Sequence, residues 1–144
     1  MPARPLALAA LLTAAVVGGC GASSSSSTDD FKGEERAVAE VVEDLQEAGQ
    51  RGDAQRMCDD LLAKPVVTRL TEAGRAAPEK RNCADTLDQS LKDADTFDLT
   101  VTKVAVTGDQ ALATVRSGGG GDKNRTDTLA LVKEGRNWKL SEIR

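Results

Sequence analysis

From Glu34 onward the apolar residues recur with a helical period. Val38, Val41, Val42, Leu45 and Ala48 form one stripe, while Glu34, Glu35, Glu40, Glu43, Asp44 and Glu47 take the remaining positions. The pattern predicts an amphipathic helix over residues 30–48, capped by Asp29 or Asp30 and ended by Gly49. Asp53 is placed to cap a second helix running to about Leu62, with Met57, Cys58, Leu61 and Leu62 inward. Pro65 suits the first turn of a third helix bearing Val66, Val67 and Leu70, with Gly74 at its end. Pro78 is read as opening a fourth, in which Cys83, Ala84, Leu87 and Leu91 share one face.

The period then falls to two. Phe97, Leu99 and Val101 alternate, and Val104 and Val106 alternate in the opposite phase, so a bulge is expected near Thr102 and Lys103. Thr107-Gly108-Asp109-Gln110 reads as a hairpin turn, and strands follow over 111–116, 126–133 and 138–143. A glycine-rich loop from Ser117 to Asn124 and a turn at Glu134-Gly135-Arg136-Asn137 separate them. Helices followed by an antiparallel meander predict an α+β fold, with N-terminal helices packed on a sheet.

Ahead of this region lies a different pattern. Arg4 precedes an apolar run from Leu6 to Val17, and Gly18 and Gly19 follow, the three parts of a secretory signal. The run of roughly 12 residues is short of the ~20 a membrane span requires. Val17-Gly18-Gly19-Cys20 resembles a bacterial lipobox. That resemblance implies cleavage before Cys20, a lipid on its sulfur, and residence on the outer face of the cytoplasmic membrane. Ser23 to Ser27, with Thr28, Asp29 and Asp30, buries no apolar surface and reads as a tether. Residues 21–32 would reach at most roughly 40 Å when extended. The expected organisation is therefore a signal segment over 1–19, a lipidated Cys20 and tether over 20–30, and one domain over 31–144.

Charge and composition narrow the chemistry. The chain holds 19 basic and 23 acidic residues, a net charge of −4, and loss of Arg4 with the signal makes it more negative by one. An acidic domain argues against a nucleic-acid partner and against docking on anionic headgroups by charge, which leaves the lipid on Cys20 as the link to the membrane. There is no His and no Tyr, which removes His-based triads and His metal sites. With Cys20 taken by lipid, Cys58 and Cys83 remain as an even pair in an oxidising compartment. A Cys58–Cys83 disulfide closing a loop of roughly 26 residues would contribute about 3–4 kcal/mol; two buried free thiols are the alternative.

The remaining candidates are weak. Asp93-Ala94-Asp95-Thr96-Phe97-Asp98 invites a calcium reading, but Phe97, Asp98 and Val104 stand at the fifth, sixth and twelfth places, where Asp or Asn, Gly and Glu belong. Gly118 to Lys123 lacks the Gly-Lys-Ser/Thr order and the following helix of a phosphate loop. Arg116, Lys123 and Arg125 form a small basic cluster on its rim. Asn124-Arg125-Thr126 matches a glycosylation sequon, read here as accidental. Asp59-Asp60 and Asp85/Asp88 are the nearest carboxylate pairs, and helical spacing puts them on the surface. Trp138 is read as core filler between sheet and helices. No catalytic residue, cofactor or metal ligand is assigned.

Certain features together resemble the nuclear transport factor two-like (SnoaL-like) cone family, in the form found in secreted bacterial lipoproteins. They are Gly52-Asp53, Cys58-Asp59-Asp60-Leu61-Leu62, the Val106-to-Ala111 hairpin and Gly135-Arg136-Asn137-Trp138-Lys139-Leu140. The resemblance covers residues 31–144. It implies a curved sheet wrapped around helices, with a pocket at the open end. Some members are isomerases, cyclases or dehydratases and many are binding modules; the enzymes usually place Asp, His or Tyr in the pocket. The expectation is a non-enzymatic module for a small apolar ligand or an envelope protein partner. The alternative is a small isomerase or dehydratase using a buried Asp. A deep cavity with a buried, unpaired Asp would favour the enzyme, and a cavity filled by Leu, Val and Trp138 a protein-binding scaffold.

Overall fold

The computed structural model describes residues 27–92, 98–118 and 125–144. Cys20, the signal segment, Asp93 to Phe97 and Gly119 to Asn124 therefore lie outside the described residues. Four helices precede four strands, as the change of period predicts. A short 3-10 turn, Ser27–Asp30, leads into α1, Gly33–Arg51. This helix starts and ends later than its apolar stripe suggested. Lys32 is its extended N-cap, so neither Asp29 nor Asp30 caps it. At the other end Gly52, at φ 67°, terminates it rather than Gly49, donating its N–H to the carbonyls of Ala48 and Gly49.

Asp53 does cap α2, Ala54–Arg56, accepting from the Arg56 amide at 3.1 Å. The helix then widens into a π-helical turn, Met57–Leu61, closed by Leu62 N–H donating to the Met57 carbonyl. Helix α3, Lys64–Ala76, has Pro65 in its first turn, and Glu134, far along the chain, accepts the Lys64 amide at 3.0 Å. It runs past Gly74, which serves another purpose. A Cβ there would collide with the Thr86 hydroxyl and the Arg81 carbonyl, so Gly74 sets the close approach of α3 to the segment that follows it. Helix α4, Cys83–Lys92, begins after Pro78, not at it. Asn82 accepts the Asp85 amide at 2.8 Å, and that cap marks the true start.

The strands β1 (Asp98–Thr107), β2 (Gln110–Gly118), β3 (Arg125–Glu134) and β4 (Asn137–Ile143) form one antiparallel meander in sequence order. The expected bulge falls between Val101 and Lys103, and it lets both Val101 and Val104 point inward. A second irregularity, opposite Ala130 and Leu131, shifts β4 so that Ile143 pairs with Leu129. Two-residue turns at Gly108-Asp109 and Gly135-Arg136 join the hairpins. The β4 edge is partly covered, because Leu62 bridges to Leu140 and the Ala63 amide donates to the Leu140 carbonyl at 2.8 Å.

The core lies between α1 and the sheet. Val38, Ala39, Val42, Leu45 and Ala48 of α1 are buried against Val101, Val104, Ala111, Ala113 and Leu131. Cys58 and Cys83 are joined in a disulfide, with Cα atoms 6.3 Å apart. It ties the π-helical turn to the first residue of α4. The α3–α4 hairpin is thus held at its turn end, where Cys83 carries the disulfide and Gly74 admits Arg81 and Thr86.

Candidate functional site

Helices α3 and α4 do not close down on the sheet as α1 does. A cavity of about 690 Å³ separates them from it, a size within the range of small-molecule sites. Each wall follows from the periodicity of its element. Val66 and Leu70 of α3 and Leu87 and Leu91 of α4 turn their helical stripes toward it. Leu99, Val115, Leu129 and Leu140 come from the four strands, and Leu45, Met57 and Leu62 close the base. These walls are aliphatic. Arg69, Ser90, Asp127, Ser141 and Glu142 supply the polar atoms, and Ile143, 64% exposed, stands with them.

The two carboxylates are already occupied. Asp127, whose side chain is 16% exposed, accepts from Arg125 Nε at 2.8 Å and from the Ser117 hydroxyl at 3.3 Å. Glu142 accepts from Arg144 at 2.8–2.9 Å. Arg69 differs: one of its N–H groups donates to the Ser141 carbonyl at 3.3 Å, and it makes no ion pair among the described residues.

The other end of the inner face is filled. Trp138 is 3% exposed, as expected of core filler, and does not line the cavity. Its indole N–H donates to Glu34 Oε2 at 2.7 Å. Lys133 Nζ donates to the other Glu34 oxygen at 2.7 Å and lies 5.5 Å from the centre of the indole ring. These donors, Lys133 first and Trp138 second, hold the Glu34 carboxyl below the ordinary carboxylate range.

The carboxylate pairs picked out in the sequence are not brought to the cavity. Asp59 and Asp60 are exposed on the π-helical turn, Asp85 belongs to the cap of α4, and Asp88 pairs with Lys92. Arg116 and Arg125 are exposed on β2 and β3, and Lys123, grouped with them in the sequence, lies outside the described residues. No group of three or more Cys, Asp or Glu among the described residues is arranged to hold a metal. Sequence reasoning missed Arg69 and Asp127. The signal was present: Arg69 lies three residues after Val66, and Asp127 is in phase with Leu129 and Leu131 along β3.

Comparison with known proteins bears out the cone-like α+β fold. A family model described as "putative lumazine-binding" matches residues 33–141. A solved structure titled as a substituted variant of Rd1NTF2_05 is 13% identical, covers 78% of this chain and 98% of its own, and superposes with a TM-score of 0.50. No curated protein matches the chain.

Proposed function

The chain belongs to the family described as "putative lumazine-binding", and from that membership we propose a non-enzymatic binding module that holds a small apolar ligand at the cell envelope. The open aliphatic cavity between α3, α4 and the sheet carries this reading. Space that the protein leaves unfilled with Leu, Val and Met on its walls favours an apolar occupant over a protein partner docking on a closed surface. The family description names lumazine, a flat heteroaromatic bicycle with hydrogen-bonding edges. Here the polar atoms number few and the described wall carries no aromatic ring, which suits a more aliphatic body.

An isomerase or dehydratase would need a carboxylate ready to move a proton. Asp127 is instead engaged by Arg125 and Ser117. The lipid on Cys20 and residence outside the cytoplasmic membrane belong to the same proposal, and the Cys58–Cys83 disulfide supports an oxidising compartment. Native mass spectrometry of protein drawn from its own membranes should release a small apolar molecule. Protein that arrives empty and fails to take up an apolar fluorescent dye overturns the binding module. Separately, Cys20→Ala should move the protein from the membrane to the soluble fraction, and unchanged retention would sink the anchor.

A further inference from the structure

We propose that the ligand is an aliphatic chain ending in a carboxylate, with its tail among the leucines of the cavity and its head on the Arg69 guanidinium. This rests on the binding-module reading and names the ligand's chemistry.

The argument is one of charge at the polar side of the cavity. Its two carboxylates are each matched by an arginine two residues away in the chain: Asp127 by Arg125 on β3, and Glu142 by Arg144 just past the end of β4. Among the described residues, a cationic head would find both carboxylates there already paired. Arg69 is the charged group on the cavity wall without such a match among the described residues. Its bond to the Ser141 carbonyl fixes the guanidinium beside β4, at a residue that itself lines the cavity, and leaves most of its N–H groups free. The hydroxyls of Ser90 and Ser141 donate to the Thr86 and Ala130 carbonyls, so their protons are already used within the protein.

A guanidinium presents a planar fork that matches a carboxylate in two parallel hydrogen bonds. One unmatched positive charge balances a single negative one, which favours a carboxylate over a dianionic phosphate. Ile143, exposed on the same wall, offers apolar contact to an occupant.

The test uses the full chain carrying Cys20→Ala, so that no lipid of its own competes, with decanoate, decanol and decylamine below their micelle concentrations. Calorimetry should show decanoate binding about tenfold tighter than decanol, the size expected of a charge-assisted pair at a solvent-facing site, and decylamine weakest. Arg69→Gln should erase the decanoate advantage and leave decanol unchanged, while Arg69→Lys should keep part of it. Equal binding of decanoate and decanol, or an unchanged ratio in Arg69→Gln, overturns the carboxylate assignment and leaves the apolar cavity standing. Failure of both decanoate and decanol to bind overturns the binding module and this inference with it.

Discussion

The inner face of the sheet is finished in two ways. At the end where β3 turns into β4, α1 lies directly on it, and Ala39, Ala111 and Ala113 are all buried to within a few per cent. Trp138 fills the remaining space, and its one polar atom is satisfied by Glu34. At the other end the covering elements are α3 and α4, which pack mainly on each other, held by the disulfide and Gly74. There the sheet residues are no less apolar, yet about 690 Å³ stays open. The difference teaches that an apolar strand face does not by itself make a packed core. Whether the space closes depends on what the facing helices are tied to.

The largest effect that would break this contrast is expected at the filled end. Trp138→Ala should cost about 3–5 kcal/mol in urea unfolding, because a large buried side chain leaves a hole that a sheet and a helix cannot collapse into. A loss below ~1 kcal/mol would mean that the indole is not part of the core.

A matched pair of enlargements comes next. Ala39→Leu, at a position with no exposure, should cost about 1–3 kcal/mol through overpacking. Leu87→Phe adds atoms on the cavity wall, and should change stability by less than about 1.5 kcal/mol while weakening uptake of an apolar dye. Equal destabilisation by the two would show that the cavity is not open in solution.

The smallest effect concerns acid. Glu34 is held below its ordinary value of 4.5 in the folded protein. Such a depressed group stabilises fully above its unfolded value, and the contribution is lost as pH falls through the folded one. The melting-temperature advantage of the wild type over Glu34→Gln should be constant near neutral pH and shrink once the pH drops below 4.5. An advantage that survives strong acid would assign it to shape rather than to charge.

Much of the fold was legible because burial leaves a period. The stripe from Val38 to Ala48, the alternation along β1 and the bulge at Thr102 are local consequences of one side facing apolar surroundings. Helix ends were less legible. Gly49 and Gly74 look like stop signals, but Gly49 is helical with Gly52 as the cap, and Gly74 answers to a neighbour distant in the chain. The site was legible only in part: the aliphatic wall residues of the helices and Leu99 fell on patterned apolar faces, whereas Arg69 and Asp127 were hidden among ordinary surface charges. A charge on a helix or strand looks the same in sequence whether its neighbour is water or a cavity.

What the sequence determined alone is the order of helices and strands and the inward faces of the helices and the first strand, since these follow from periodicity. What only the tertiary structure decided is where the inward faces meet and where they stay apart. That outcome depends on the distances between elements, here set by alanines at one end and by a disulfide-tied helix pair at the other, and no local pattern records a distance between segments far apart in the chain.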